Sequence, residues 1–384
     1  MPSTSTYDTQ LATAPDLPCI AVVFGGHSPE YPVSLESATS VITNLDTDRY
    51  EIVMVGITRT GSWYHYTGPV EAIADDSWIT LTDELSPAIL SPDRATAGLL
   101  VFDEAGAPPR IIELDGVLPL VHGQCGEDGT LIGLIELSGL PLIGCNTAAS
   151  SLCMDKDRSH KLVKDAGIRV PRALTAYAAE DRAQVKARVE TMGELPLFVK
   201  PVRAGSSFGI SVIDAIDELD EALDKAFEHD TNVIIEEAIT GVECGCAVIG
   251  RDDHLTVGEV DEIEIHDTFF DYEEKYTLTN SAIHLPARLP QSVQDALKDS
   301  AKTIYRALGC TGFARVDMFV TPDHEIVFNE VNTIPGFTSH SRFPQMQMAR
   351  GISYTELLTE IIEECRAAWR SALAHQSVNE TSHV

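Results

Sequence analysis

RVDMFVTPDHEIVFNEVNT, residues 315–333, is the stretch on which the reading of this chain turns. From 313 to 320 the residues alternate as in a half-buried β-strand, with Phe313, Arg315, Asp317 and Phe319 on one face and Ala314, Val316, Met318 and Val320 on the other. Glu330 and Asn332 share a face of the strand that follows. Between them Thr321-Pro322-Asp323-His324 has the composition of a turn, and a hairpin centred near Asp323 and His324 sets Asp317 directly opposite Glu330. Facing carboxylates repel. A hard divalent ion such as Mg²⁺ removes that conflict, because it takes oxygen ligands and binds through one or two carboxylates plus substrate phosphates. Asp317, Glu330 and Asn332 are therefore candidate metal ligands, and they point to nucleotide chemistry. The plain alternative is a hairpin face whose acids meet water.

A second segment agrees with the first. KPVRAGSSFG, residues 200–209, joins two strand patterns through Gly205, Ser206, Ser207 and Gly209, offering backbone amides and two hydroxyls beside Lys200. Such a loop can wrap phosphate oxygens. The same residues match GxSxG at Gly205, Ser207 and Gly209, the signature of a serine hydrolase. A nucleophile elbow needs a helix directly after the serine, whereas GISVIDAI is short and β-branched, which favours strand-loop-strand. An ordinary glycine hairpin is the third reading. No GxxxxGK[ST] is present, so a P-loop nucleotide site is excluded by motif.

With 384 residues the chain is long enough for two or three domains, and its 44% hydrophobic content is that of a globular protein. A formal charge of −32 argues against nucleic acid or an anionic membrane as partner, since both repel a polyanion, and an anionic substrate then needs local Lys, Arg or metal. Cys19, Cys125, Cys145, Cys153, Cys244, Cys246, Cys310 and Cys365 form no CxxC pair, and reduced thiols of a cytosolic protein are the simplest reading. Neither a signal peptide nor an apolar run of membrane-spanning length is visible, and the sequon at Asn379 goes unused in the cytosol.

Residues 1–16 and about the last dozen lack apolar periodicity and read as mobile tails. IAVVFGG (20–26) reads as a buried strand entering a glycine turn and SLESATSVITNLD (34–46) as a capped helix, so the chain opens with a βα unit. EIVMVGIT and GVLPLVHG add strands. Helical pattern follows from 144 to Gly167, and a boundary near 144 separates a first module from a second that runs strand LPLFVKP, loop, strand GISVIDA, helix DELDEALDKAFEHD and strand NVIIEEAI. After Gly241 come strands ECGCAVIG and LTVGEVDEIEI, a long loop, a helix over about 291–308 and the hairpin. The fold class is α/β, becoming α+β with antiparallel strands in the later half.

These segments together resemble the D-alanine:D-alanine ligases of the ATP-grasp superfamily, over about residues 18–370. The resemblance is carried, in the family's order, by FGGHSPEYPVSLESA, LVHGQCGEDGTLIG, LCMDKDRSHKL, FVKPVRAGSSFG, VIIEEAITGVECG, FFDYEEKY, GFARVDMF and NEVNTIPGFTSHSR. Within the family it is nearest the D-alanine:D-serine ligases associated with vancomycin resistance, through GITRTGSWYHYTG, PVRAGSSFGI, FFDYEEKYTL and PGFTSHSRFP. The resemblance implies an ATP-grasp fold, with an N-terminal parallel-sheet domain over 17–143, a central subdomain over 144–235 and a C-terminal subdomain with metal site and lid over 236–370, and a tail from 371. It implies a cytoplasmic homodimer that uses ATP and two Mg²⁺, or Mn²⁺ in their place, to make a peptidoglycan precursor.

The reaction it implies has two steps: ATP phosphorylates the carboxylate of a first D-alanine, and the amine of a second D-amino acid attacks the acyl phosphate. By matching motif positions, Glu30 holds the first ammonium, Lys156 and Lys200 neutralise ATP phosphates, and Ser206 links with Glu30 and Tyr276 to close the site. Ser207 lies by the γ-phosphate, Glu236 and Glu243 meet adenine-side and ribose groups, and His122 orders the first pocket. Arg315, sharing a face with Asp317, steadies the oxyanion of the tetrahedral intermediate together with the Gly336 amide. Lys275 and Tyr276 end a lid, 266–276, that excludes water from the acyl phosphate. Each has a plainer reading: a helix-dipole acid for Glu30, solvated lysines, surface acids for Glu236 and Glu243, a salt bridge for Arg315 and a structural histidine for His122.

Phe270 stands where strict D-alanine:D-alanine ligases tend to carry Tyr, and Arg342, after Ser341, where they carry an apolar residue; the D-serine ligases carry Phe and Arg. D-serine is thus favoured as second substrate, with D-alanine still accepted because a pocket rarely rejects a smaller isostere. The EKY of Glu274, Lys275 and Tyr276 argues against a D-lactate ligase. Ala204, Gln124 and Cys125 depart from the pattern of some relatives and bear on details of substrate contact. A noncatalytic ATP-binding protein is the reading from another class.

Overall fold

Two apolar strands are buried on both faces, and they organise the molecule. The computed structural model describes residues 17–205, 208–265 and 281–381. Strand β1 (Cys19–Gly25) is buried along its whole length. Its alternation sends Ile20, Val22 and Phe24 into one core and Cys19, Ala21 and Val23 into another. Such a strand, apolar on both faces, belongs at the centre of a parallel sheet. β1 pairs in parallel with β2 (Glu51–Ile57) and β7 (Gly116–Pro119). An antiparallel meander, β3 (Trp63–Tyr66), β4 (Leu85–Leu90), β5 (Gly98–Val101) and β6 (Arg110–Glu113), widens this to seven strands in the order β6-β5-β4-β3-β2-β1-β7.

A four-stranded antiparallel sheet follows, ordered β10-β9-β11-β8 from β8 (Ala173–Tyr177), β9 (Leu197–Pro201), β10 (Ser211–Ile213) and β11 (Asn232–Glu237). A six-stranded sheet completes the set. It comprises β12 (Val242–Arg251), β13 (His254–Val257), β14 (Asp261–Ile265), β15 (Ser281–His284), β16 (Phe313–Val320) and β17 (Ile326–Asn332), ordered β15-β14-β12-β16-β17 with β13 on β12. β16 is the second doubly buried strand. Ala314, Val316, Met318 and Val320 enter a core with Leu297, Ala301 and Ile304 of helix Gln291–Ala307. Phe313, on the opposite face, stacks edge-on against Phe337 at 5.0 Å. The half-buried strand expected from alternation is therefore covered on both sides, and Asp317 is 1% exposed.

Several elements differ from the sequence expectation; the strand expected over LTVGEVDEIEI divides into β13 and β14, with residues 258–260 outside both, and three further differences concern helices. The first helix starts at Tyr31 rather than at a Ser34 cap. Pro32 is pre-organised for the first turn, and the Ser34 hydroxyl is taken by Leu120 O (2.5 Å) and Gly25 N (2.8 Å). The helical stretch to Gly167 breaks at Asp155, whose carboxylate accepts from Arg158 N (2.9 Å) and caps Lys156–Asp165. At the C-terminus helix Tyr354–Thr381 runs on into the segment expected to be a tail, because SALAH (371–375) contains no Gly or Pro to stop it. Among the described residues no helix is long and apolar enough to cross a membrane.

Candidate active site

β16 and β17 pair with Asp317 opposite Glu330 and Arg315 opposite Asn332, the register expected from the turn. A bulge follows: Met318 pairs with Phe328, leaving Asn329 over, and such bulges re-aim side chains next to sites. The Asp317 carboxylate accepts from Arg315 Nε (2.9 Å) and Nη2 (2.8 Å) and from Asn332 Nδ2 (2.9 Å), with Arg342 Nη2 at 3.4 Å. Glu330 faces Lys156 Nζ at 3.7 Å. Burial would push the Arg315 guanidinium down, but Asp317 outweighs it and holds it above the usual range. Among the described residues no three His, Cys, Asp or Glu side chains are spaced to hold a metal by themselves. Two carboxylates and an amide oxygen fit Mg²⁺ only with phosphates completing the shell, which is how that ion usually binds.

Next to this hairpin lies a cavity of about 270 Å³ whose lining includes Glu30, His122, Glu127, Arg315, Gly336 and Arg342. Glu30 sits at the start of helix Tyr31–Asn44 without capping it, and it lines the cavity. Two loops close over it. At Gly123 (φ +71°) a Cβ would fall 2.1 Å from Glu30 Oε2, and at Gly205 it would fall 2.9 Å away, so both segments approach this carboxylate closely, and the left-handed backbone at 123 favours glycine. His122 is buried, with Nε2 3.1 Å from Ser37 Oγ, and burial pushes its pKa down to about 4. It is a neutral, hydrogen-bonded group.

The linkage sign is definite for His122. In the folded protein it stays neutral while the unfolded chain takes up a proton below 6.5, so stability is full above that pH and is lost as pH falls toward 4. A drop of this size corresponds to about 3 kcal/mol. Urea unfolding at pH 7 and 4.5 is expected to show a larger acid loss for the natural chain than for His122→Gln. Equal losses would mean that His122 charges freely in the fold.

A second polar cluster is built on β9 and β11, where Lys200 lies opposite Ile234. Lys200 Nζ donates to Glu236 Oε2 at 2.7 Å and Lys156 Nζ to Ala204 O at 2.9 Å. Their side chains are 13% and 11% exposed, which disposes of the solvated-lysine reading. Burial raises the Glu236 carboxyl, but Lys200, His160 and Lys156 outweigh that and hold it low. Among the described residues Glu236 Oε1 and His160 Nδ1 are buried without hydrogen-bond partners, facing each other at 3.5 Å. An orphaned acceptor of this kind fits an exocyclic amine such as that of adenine.

Arg342 is held rather than free. Asp261 binds it twice, at 2.7 Å to Nε and 2.9 Å to Nη2, with Glu243 3.5 Å from Nη1. Ser341 accepts from Thr338 N at 3.1 Å at the entrance to helix Arg342–Met348. The structure thus brings Glu30, His122, Glu243, Arg315, Asp317, Asn332, Gly336, Ser341 and Arg342 to one cavity, with Glu330 beside Lys156. Lys200 and Glu236 pair separately on the central sheet. Ser206, Ser207, Phe270, Lys275 and Tyr276 lie outside the described residues. Glu127, Asp261 and His160 were not singled out by sequence reasoning. Glu127 accepts from Gly123 N (2.8 Å) and Ile334 N (3.3 Å), and burial followed by the Glu30 charge raises its pKa to about 8. Its one sequence signal is an acid beside the glycines of HGQCGEDG; Asp261 and His160 carry none, because their partners are distant in the chain.

The fold is of the ATP-grasp ligase class. Residues 19–145 match the family described as D-ala D-ala ligase N-terminus and residues 162–363 the D-ala D-ala ligase C-terminus. The chain belongs to the D-alanine–D-alanine ligase family and is a ligase of its D-Ala–D-X kind. It superposes on the VanG D-Ala:D-Ser ligase of Enterococcus faecalis with TM-score 0.83 and 51% identity, covering 91% of this chain and 100% of that one. It is 42% identical to the vancomycin B-type resistance protein VanB of Enterococcus faecalis over 89% of this chain and 97% of that protein. It is equally 42% identical to a D-alanine–D-alanine ligase of Caldicellulosiruptor bescii, over 89% of this chain and 93% of that one.

Proposed function

We propose that this ligase joins D-alanine to a second D-amino acid, D-serine in preference to D-alanine, through a D-alanyl phosphate, in the cytoplasm as a homodimer making a peptidoglycan precursor. The observation that carries the reading is the single cavity in which the Glu30 carboxylate shares walls with Arg315, Gly336 and the Asp317–Asn332 hairpin. A carboxylate suits a substrate ammonium, and a guanidinium with a backbone amide suits an oxyanion. ATP is the phosphoryl donor, with Lys156 and Lys200 toward its phosphates and Glu236 toward its base. Asp317, Glu330 and Asn332 would hold two Mg²⁺, with Mn²⁺ as a substitute. Bound there, the ions neutralise phosphate charge during transfer.

Glu30 binds the first ammonium, and Arg315 with the Gly336 amide takes up charge as the second amine adds to the acyl carbon. Ser206 links with Glu30 and Tyr276 to close the site, Ser207 lies by the γ-phosphate, and the lid that ends at Lys275 and Tyr276 excludes water, since hydrolysis of the acyl phosphate would otherwise compete. The preference for D-serine is supported by Arg342 and Phe270 and by the likeness to VanG. Phosphate release with ATP and Mg²⁺ is measured with D-alanine alone and with D-alanine plus D-serine, the dipeptides being identified by mass. D-alanyl-D-serine is the expected main product. A predominance of D-alanyl-D-alanine would refute Phe270 and Arg342 as sufficient markers, and silence with both would refute the ligase reaction.

A further inference from the structure

Helix Tyr31–Asn44 carries Ser34, Ser37 and Ser40 at three-residue intervals, so they lie along one face. Each bonds outside its own helix. Ser34 ties Leu120 O and Gly25 N, at the ends of the first sheet. Ser37 Oγ lies 3.1 Å from His122 Nε2 and accepts from Phe337 N at 3.2 Å. Ser40 Oγ accepts from Ser339 N at 3.2 Å. The last two therefore grip the loop 333–341 that enters the cavity after β17.

That loop is held from other sides as well. Glu127 Oε1 accepts from Ile334 N (3.3 Å), and the Tyr354 hydroxyl donates to Phe337 O. The amides on either side of Pro335-Gly336 are thus occupied. Proline has none, and the Gly336 N–H meets no acceptor among the described residues, while Gly336 itself lines the cavity. The loop keeps one donor open at the place where the proposed reaction develops negative charge.

We propose that Ser37 is a positioning residue for ligation: by fixing the Phe337 amide to helix Tyr31–Asn44 and to His122, it aims the neighbouring Gly336 N–H at the oxygen that becomes negative when the amine adds. The inference rests on the ligase reading above. Ser37 is fully buried and itself helps to line the cavity. Removing an oxyanion donor outright costs about 10²–10³ in kcat. Misaiming one costs less, about 10–100-fold.

The test is steady-state kinetics of dipeptide formation by the full chain. Ser37→Ala is expected to lower kcat about 10–100-fold while KM for ATP and for D-alanine stays within about threefold, because the donor acts only on developing charge. Ser37→Cys, nearly the same size with a weak acceptor, is expected to fall between the two and serves if the alanine variant does not fold. Ser34→Ala removes an equally buried hydroxyl that does not touch the loop, so it is expected to lower the melting temperature and leave kcat within about threefold. Unchanged kcat in both Ser37 variants, a rise in KM alone, or an equal loss of kcat in Ser34→Ala would overturn the proposal. A natural chain that makes no dipeptide would instead sink the ligase reading beneath it.

Discussion

Asp317→Asn is expected to lower ligation by more than about 10³-fold. Two losses combine. The buried carboxylate holds Arg315 through three contacts of 2.8–3.0 Å and faces Arg342 at 3.4 Å. An amide cannot balance either guanidinium, and breaking a buried pair by removing one partner costs about 3–5 kcal/mol of stability. The same change removes one of the two carboxylates facing across β16 and β17, which are the charged part of the proposed Mg²⁺ site. Loss of about 4 kcal/mol of charge stabilisation in the transition state corresponds to about 10³ in rate. Chemical denaturation and phosphate release, run on the same preparation, separate the two. A variant that is destabilised yet ligates within tenfold of the natural chain would show that Asp317 serves the ion pairs alone.

Arg342→Leu is expected to destabilise the fold by about 3–5 kcal/mol, because it removes the guanidinium that pairs the buried Asp261 beside Asp317. Asp261 is 1% exposed and also accepts from Gly245 N at 2.8 Å, so it cannot turn to solvent. The double change Arg342→Leu with Asp261→Leu is expected to regain most of that stability, since replacing both partners of a buried pair by apolar groups is often neutral. It is not expected to regain the proposed preference for D-serine over D-alanine. Urea melts of the two variants with the product ratio of each decide the matter. If the single variant is as stable as the natural chain, the pairing with Asp261 is not what holds Arg342, and if the double variant keeps its D-serine preference, Arg342 is not the marker of specificity.

These two residues show where sequence reading succeeds and where it ends. Asp317, Glu330 and their register followed from alternation and a four-residue turn, because strand period and hairpin geometry are local properties. The bulge at Asp317 and Met318 was not legible, nor was the burial of β16 on both faces, since the polar residues that mimic a solvent face here line a cleft. Likewise Ser34 reads as a helix cap until Gly25 and Leu120 take its hydroxyl.

From the sequence alone came the α/β class, the order of most strands and helices, the facing carboxylates of the hairpin, and eight motifs in the order of one ligase family. Each depends on near neighbours or on short spacings. Only the tertiary structure decided that Glu30, Glu127 and Gly205 meet over one cavity, that Arg342 is held by Asp261 some eighty residues away, and that serines of the first helix grip the loop carrying Gly336. Those contacts join segments far apart in the chain. Their partners are set by how the three sheets close around the cleft, and a sequence pattern has no period from which to read them.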